Sequence, residues 1–393
     1  MAKLSVRDFD LNGKKVFVRV DFNVPLDEEQ HITNDTRIMA SLPTIKYILE
    51  QGGILILASH FGRPKGKINS KMSLLPVAHR LSEILKRKVI FAPDCVGPEV
   101  KRMAQALKPG DILLLENTRF HPEEKSNDPG FAKELASLAD LYINDAFGTA
   151  HRSHASVVGV PAHFKNPACG LLLEKEIRFL EGALKEPKRP LLAIIGGAKV
   201  STKIGVIKNL LSSVDNLVIG GGMCFTFYKS KGCEIGKSLC EDDFLDQATI
   251  LLNNKKIYLP VDVLVAKELS KGSPTKCVEA CNIPADYHGV DIGEKTRQDI
   301  ARLVNKSKTI VWNGPMGIFE IDDFAKGTAH VARSVAQATT KGAITIVGGG
   351  DTIAALAKYD LLNDVTHAST GGGASLEFLE GKELPGIKVL KDK

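Results

Sequence analysis

Short apolar runs and amphipathic stretches alternate along the whole chain. In the first half, continuous apolar runs at 16–20, 54–58, 112–115 and 141–144 predict buried strands. Residues 37–49, 74–85 and 131–138 carry their apolar positions at helical spacing. In the second half, 191–195, 217–219, 257–259, 309–312 and 344–347 predict strands, and 203–211, 244–252, 296–304 and 324–336 predict helices. The strands are apolar throughout rather than alternating, and helices separate them. That combination predicts parallel sheets covered by helices on both faces. The alternation breaks once, near the middle. Residues 171–184 (LLLEKEIRFLEGAL) read as one helix, followed by the charged, proline-punctuated Lys185-Glu186-Pro187-Lys188-Arg189-Pro190. Such a stretch suits an inter-domain connector. Two α/β domains of similar size are therefore expected, over 1–170 and 191–373, with 171–190 joining them.

The length of 393 residues agrees with more than one domain, and 44% hydrophobic with 25% charged residues is ordinary globular usage. A net charge of +6 does not by itself make a nucleic-acid binder, but it suggests basic groups converging on an anion. The first residues show no secretory pattern, and no apolar run approaches the ~20 residues that span a bilayer. A cytoplasmic protein with no membrane partner is expected. The 7 Cys, irregularly spaced, read as free thiols. Cys277 and Cys281 are the closest pair, and no matching partners for a zinc site are evident.

The two halves carry different chemistry. In the second half, Gly196-Gly197, Gly220-Gly221-Gly222, Gly348-Gly349-Gly350 and Gly371-Gly372-Gly373 lie between strands and helices. In a parallel sheet such turns share the carboxyl edge, where ligands bind and helix N-termini offer free N–H groups to phosphate. Gly232 to Ser238 mimics a phosphate loop but is one residue short, and reads as a decoy. Lys199 and Lys203 are expected on one helix face, as point charges for a polyphosphate or as a solvated face. Asp351 either caps its helix or holds Mg²⁺. In the first half, polar and basic residues gather at strand ends: Asp21, Asn23, His60, Arg63, Arg119, His151, Arg152 and His154, with Arg37 opening the first helix. Arginine forks match carboxylates and phosphates, so a small polyanion is the natural guest. His151 and His154 lack a third ligand and read as hydrogen-bonding groups; Trp312 and Phe147 read as packing residues. A non-enzymatic phosphosugar- or nucleic-acid-binding protein is the alternative. Against it, the arginines sit at separate strand ends and no aromatic-interleaved basic motif occurs.

Taken in order, Asp21-Phe22-Asn23-Val24-Pro25, Asp35-Thr36-Arg37-Ile38, His60-Phe61-Gly62-Arg63-Pro64, Glu116-Asn117-Thr118-Arg119-Phe120, Asn144-Asp145-Ala146-Phe147-Gly148 with His151-Arg152, Gly196-Gly197-Ala198-Lys199-Val200-Ser201, Trp312-Asn313-Gly314-Pro315-Met316-Gly317, Gly348-Gly349-Gly350-Asp351-Thr352 and Thr370-Gly371-Gly372-Gly373-Ala374-Ser375 resemble the phosphoglycerate kinase family over essentially the whole chain. The resemblance implies two Rossmann-like parallel-sheet domains with a cleft and hinge between them. It also implies a C-terminal tail, about 374–393, returning to the first domain. The implied activity is reversible phosphoryl transfer between 1,3-bisphosphoglycerate and Mg-ADP, giving 3-phosphoglycerate and ATP on domain closure, by a glycolytic phosphotransferase with a carboxyl acceptor. The first domain would hold phosphoglycerate through Asp21, Phe22, Asn23, Arg37, His60, Phe61, Gly62, Arg63, Arg119 and Arg152. The second would hold the nucleotide through Gly197, Lys199, Lys203, Gly221, Gly289, Asn313, Glu320, Gly349, Gly350, Asp351 and Thr352, with Mg²⁺ on Asp351 and the ribose on Glu320. Arg37, Lys199, Gly350 and Gly372 would face the moving phosphoryl group. The family resemblance further implies a monomer, with no nucleic-acid partner.

Overall fold

A computed structural model of the chain describes residues 2–393. These divide into two units: residues up to Arg178 together with Glu383–Lys393, and Phe179–Lys382. The first unit is built on β1 (Lys15–Arg19), β2 (Ile54–Ala58), β3 (Val89–Phe91), β4 (Ile112–Leu114), β5 (Leu141–Asn144) and β6 (Ala168–Cys169). They form one sheet in the order β3-β4-β2-β1-β5-β6, parallel throughout. The order turns outward in both directions from β1, and ligands of open parallel sheets bind beside such a switch, outside the carboxyl ends of the strands. The core explains the apolar runs. Val16, Val18, Leu55, Leu57, Ile112, Leu114 and Ile143 are fully buried and pack against Ile38, Ile45 and Ile48 of the helix Thr36–Glu50. On the other face Phe17 stacks on Tyr142, its register partner in β5, with ring centroids 5.9 Å apart. The helix Leu171–Lys185 starts where Asp145 Oδ1 accepts the Leu172 and Leu173 N–H groups at 3.0 and 3.2 Å. Burial pushes that carboxyl up to about 7, against the pull of these bonds.

The second unit contains β7 (Leu191–Ile195), β8 (Asn216–Ile219), β9 (Glu234–Ile235), β10 (Ile257–Tyr258), β11 (Asp262–Ala266), β12 (Thr275–Glu279), β13 (Asn282–Ile283), β14 (His288–Ile292), β15 (Thr309–Asn313), β16 (Ile344–Gly348) and β17 (His367–Ala368). Its main sheet, β10-β8-β7-β15-β16-β17, is again parallel throughout. Trp312 is wholly buried in its core, with Nε1 donating to Gly314 O at 2.8 Å. Phe147 is equally buried in the first unit.

Several expectations need correction. The edge strands β3, β6 and β17 and the helix Pro98–Ala106 are too short or too polar to stand out as apolar periods. The antiparallel sheet β12-β11-β14 was also unforeseen, because β12 is largely exposed and reads as a polar loop. The segment that returns to the first unit begins at Glu383, not near 374. The helix Gly373–Leu379 stays with the second unit, where Asn209 donates to Leu379 O at 2.8 Å. The decoy phosphate loop is a turn running into β9, with no helix behind it.

The expectation of free thiols fails at one pair. The parallel pairing of β9 with β13 sets Glu234 opposite Asn282, which brings the preceding Cys233 and Cys281 together. They form a disulfide across a sequence separation of 48. No local spacing marks it, since only the pairing of two short strands creates it. Cys95, Cys169, Cys224, Cys240 and Cys277 remain thiols. Thiol titration of the denatured protein is therefore expected to find 5 groups before reduction and 7 after it. Seven without reductant would remove the bridge.

Candidate functional site

At the carboxyl edge of the first sheet, the loop after each central strand delivers polar groups to one place. Asp21 and Asn23 follow β1, and Arg37 reaches them from the first turn of its helix: its guanidinium donates to Asp21 Oδ2 at 3.0 Å and Asn23 O at 3.1 Å. Asn23 Oδ1 accepts the Gly62 N–H at 2.9 Å, and Arg119 donates to Gly62 O at 2.8 Å. The loops after β1, β2 and β4 are thus locked to one another. Asn117, which motif reading alone gave no role, clamps the loop after β2 by accepting from Phe61 N–H at 2.9 Å and donating to Phe61 O at 2.7 Å. Phe22 and Phe61 bury their rings, so the part they offer a ligand is backbone. Arg152 follows β5 and donates to His151 Nε2 at 3.2 Å. His154 lies 3.9 Å from Glu124, and burial with Arg119, Arg19 and Arg152 nearby pushes its pKa down to about 3.

Charge is left over at this edge. Burial, then the neighbouring Arg152 and Arg19, lowers the Arg119 pKa to about 10. Its Nε is buried without a hydrogen-bond partner. Burial also lowers Arg152, with Arg19, Arg63 and Arg37 adding to the effect against the attraction of Asp21. Cations that are desolvated and repel one another in this way favour an anion among them.

The second unit builds a different edge. Lys203 Nζ bonds Asn313 Oδ1 at the end of β15. Burial lowers the Lys203 pKa to about 8, although Asp351 pulls it upward. Asn313 Nδ2 is buried without a partner, beside Gly349, whose φ of +92° turns the chain into the helix Gly350–Lys358. Lys203, Asn313, Gly349 and Asp351 thus come together. Asp351 lies exposed in the first turn of that helix and does not cap it with its side chain. The Thr352 hydroxyl is buried and accepts the Gly314 N–H at 2.7 Å, which ties the helix to the loop after β15. Gly289 packs flat on Phe225, where a Cβ would fall 2.0 Å from the ring, and its N–H donates to Ser238 at 2.8 Å. Glu320 is exposed near Lys358.

Two expectations change here. Lys199 and Lys203 do not share a helix face, because the helix begins at Ile204 with Lys203 as its N-cap. Lys199 is exposed, and its charge acts on Glu241. The glycine clusters also serve two purposes. A Cβ on Gly221 would fall 2.6 Å from backbone atoms of Gly197, so this glycine lets two loops touch. Beside Gly350 and Gly372 no heavy atom lies within 4 Å of a Cβ, so those positions face open space that a phosphate can enter.

Outside both edges, Asp94, Cys95 and His121 place three donor atoms within 4.8 Å of one another. His121 Nε2 and Asp94 Oδ1 already bond each other at 2.7 Å, which raises the pKa of the imidazole.

Comparison with known proteins places this arrangement. The sequence model of the family described as "Phosphoglycerate kinase" matches residues 6–382. A phosphoglycerate kinase of Chlorobium phaeobacteroides (strain BS1) is 54% identical over 397 residues, covering 100% of both chains. A cytosolic phosphoglycerate kinase of Triticum aestivum is 54% identical over 388 residues, covering 98% of this chain and 96% of its own. The solved phosphoglycerate kinase of Coxiella burnetii superposes with a TM-score of 0.89 at 43% identity, over 98% of each chain. With two six-stranded parallel sheets and a family match that runs over residues 6–382, the chain belongs to the phosphoglycerate kinase family.

Proposed function

We propose that the protein carries out the phosphoglycerate kinase reaction from two anion sites, one on each unit. The acyl phosphate of 1,3-bisphosphoglycerate passes to ADP, giving 3-phosphoglycerate and ATP, and the step reverses. Asp21, Asn23, Arg37, His60, Arg63, Arg119 and Arg152 hold the phosphoglycerate, with the backbone of Phe22, Phe61 and Gly62 closing around it. The observation that carries this reading is the excess of positive charge there, above all the buried Arg119 with its unpartnered Nε. A small polyanion relieves that repulsion. The nucleotide is held on the second unit by Lys203, Asn313, Gly289, Glu320 and the turn Gly349 to Thr352, with Gly197 and Gly221 shaping the edge.

Mg²⁺ belongs with the nucleotide, where it neutralises phosphate charge. It takes one or two carboxylates plus phosphate oxygens, and the exposed Asp351 beside the Gly349 turn fits that demand. Arg37, Lys199 and the N–H groups at Gly350 and Gly372 face the phosphoryl group in flight. Transfer between two bound oxygens needs little covalent help, so positioning and charge stabilisation do the work. The reacting atoms must come within ~3 Å with water excluded, which requires the two units to close on their ligands. The protein acts as a cytoplasmic monomer. Among the described residues no helix is long and apolar enough to cross a membrane.

Calorimetry with each ligand alone tests the division of labour. Arg63→Ala and Arg152→Ala are expected to weaken 3-phosphoglycerate binding by at least ~10-fold, the value of a charge-assisted hydrogen bond, and to leave ADP affinity unchanged. Equal loss of both affinities would sink the assignment, as would absence of ADP formation from ATP and 3-phosphoglycerate in a coupled assay.

A further inference from the structure

Arg19 ends β1 and is 0% exposed, in a run of apolar residues where a charge is out of place. Each of its three guanidinium nitrogens has a partner. Nε donates to Ser156 Oγ at 2.8 Å, one terminal nitrogen donates to Val20 O, and the other lies 3.2 Å from His60 Nδ1. Ser156 passes the link on: its Oγ donates to Glu124 Oε1 at 2.6 Å and its N–H to Glu124 Oε2 at 2.9 Å. Tyr142 donates to Ser156 O at 3.0 Å. Glu124, Ser156 and Tyr142 are also 0% exposed, so the whole network is buried, where hydrogen bonds reinforce one another.

A guanidinium has only donors and does not lose its proton in proteins. The contact with His60 therefore exists only if Nδ1 is the acceptor. An imidazole with a bare Nδ1 is neutral and carries its proton on Nε2. We propose that Arg19 is a positioning residue that holds His60 in the neutral, Nε2-protonated tautomer, giving the phosphoglycerate site a fixed hydrogen-bond donor in place of a titrating cation. This rests on the placement of His60 in the site proposed above. The groups around the ring agree with it. Arg19 from β1, Arg119 after β4, Arg152 after β5 and Arg37 from the helix Thr36–Glu50 all oppose a second proton, on top of burial. Asp21 Oδ1 is 3.9 Å from Nδ1, beyond hydrogen-bonding distance. The consequence is an affinity for 3-phosphoglycerate to which His60 adds no pH dependence near neutrality.

The test uses the whole protein with ¹⁵N-labelled histidine. Long-range ¹H–¹⁵N spectra without ligand, taken from pH 8 down to pH 5, are expected to show His60 with a protonated Nε2 and a bare Nδ1 throughout. A proton on Nδ1, or a cationic ring in that range, overturns the proposal without any variant being made. Adding 3-phosphoglycerate is expected to shift the Nε2–H signal. A ring of the expected tautomer that ignores the ligand overturns the claim that it donates to phosphoglycerate, while leaving the assignment of the tautomer to Arg19 intact. In folded Arg19→Met the ring is expected to titrate within the window. KM for 3-phosphoglycerate should then rise roughly tenfold and become pH-dependent with little change in kcat, as loss of one hydrogen bond to a charged ligand predicts. Arg19→Lys, which keeps a donor, is expected to restore the tautomer. Arg19→Met with an unchanged ring and a pH-independent KM would overturn the role of Arg19.

Discussion

Replacing Lys199 by alanine is expected to lower kcat by roughly 10²–10³ while raising KM for ATP far less. Lys199 is exposed, and its backbone carbonyl accepts the Thr202 hydroxyl at 2.9 Å, a bond that alanine retains. Little folded-state packing is lost, so a fall in rate reports the missing charge. Lys203 is the contrast. It is partly buried and bonded to Asn313, so its ammonium is already committed to the end of β15. A long, hydrated point charge with freedom to move is suited to a group that shifts between two oxygens. Steady-state kinetics in both directions separates the cases. Unchanged kcat with a tenfold higher KM for ATP would make Lys199 a ground-state binder instead.

Gly196→Ala is expected to destabilise the second unit by about 3 kcal/mol or more, as overpacking against backbone does. A Cβ there would fall 2.1 Å from Pro315 O and 2.6 Å from Gly314 O. Those atoms belong to the loop after β15, and the Gly196 and Gly197 N–H groups bond into the same stretch, at Asn313 O and Pro315 O. Neither loop can retreat without breaking strand-end hydrogen bonds. Gly350→Ala is the matched control: its Cβ meets nothing within 4 Å. It is expected to change stability by less than ~0.5 kcal/mol and to raise KM for the nucleotide by crowding the phosphate. Urea unfolding of both variants checks the pair. A stable Gly196→Ala would mean that these loops are not packed backbone to backbone.

The main sheets were legible because a strand buried on both faces leaves an uninterrupted apolar run that no exposed loop imitates. The strand-end chemistry followed from parallel topology, which sends every such loop to the same edge. What escaped has a common physical origin in pairings distant along the chain. The Cys233–Cys281 bridge exists only because β9 lies beside β13. The antiparallel β12-β11-β14 sheet hides because the side chains of β12 face solvent. Asn117, Glu124 and Ser156 do their work through buried hydrogen bonds that no local spacing announces. Arg19 left a signal that was available to reading: a charged residue within an apolar strand must find partners or be costly. The glycine clusters were legible, yet composition alone does not separate those that face open space from those that admit a neighbouring loop.

The final segment of the chain belongs to the unit that the first residues begin. Leu4 N–H bonds Lys391 O at 2.8 Å, Lys393 N–H bonds Ala2 O at 2.9 Å, and Lys3 pairs with Asp392 at 2.8 Å. Gly386 bonds across to Ala150, next to His151 and Arg152. Topologically, the second unit is an insertion into the first. The first unit is therefore closed by residues that follow the second unit in sequence, and it cannot finish folding before they are made. The adjacency of these two segments also means that a short linker can join them, and a new start within an exposed loop of the second unit then gives a permuted chain in which the first unit is continuous and the second is the interrupted one.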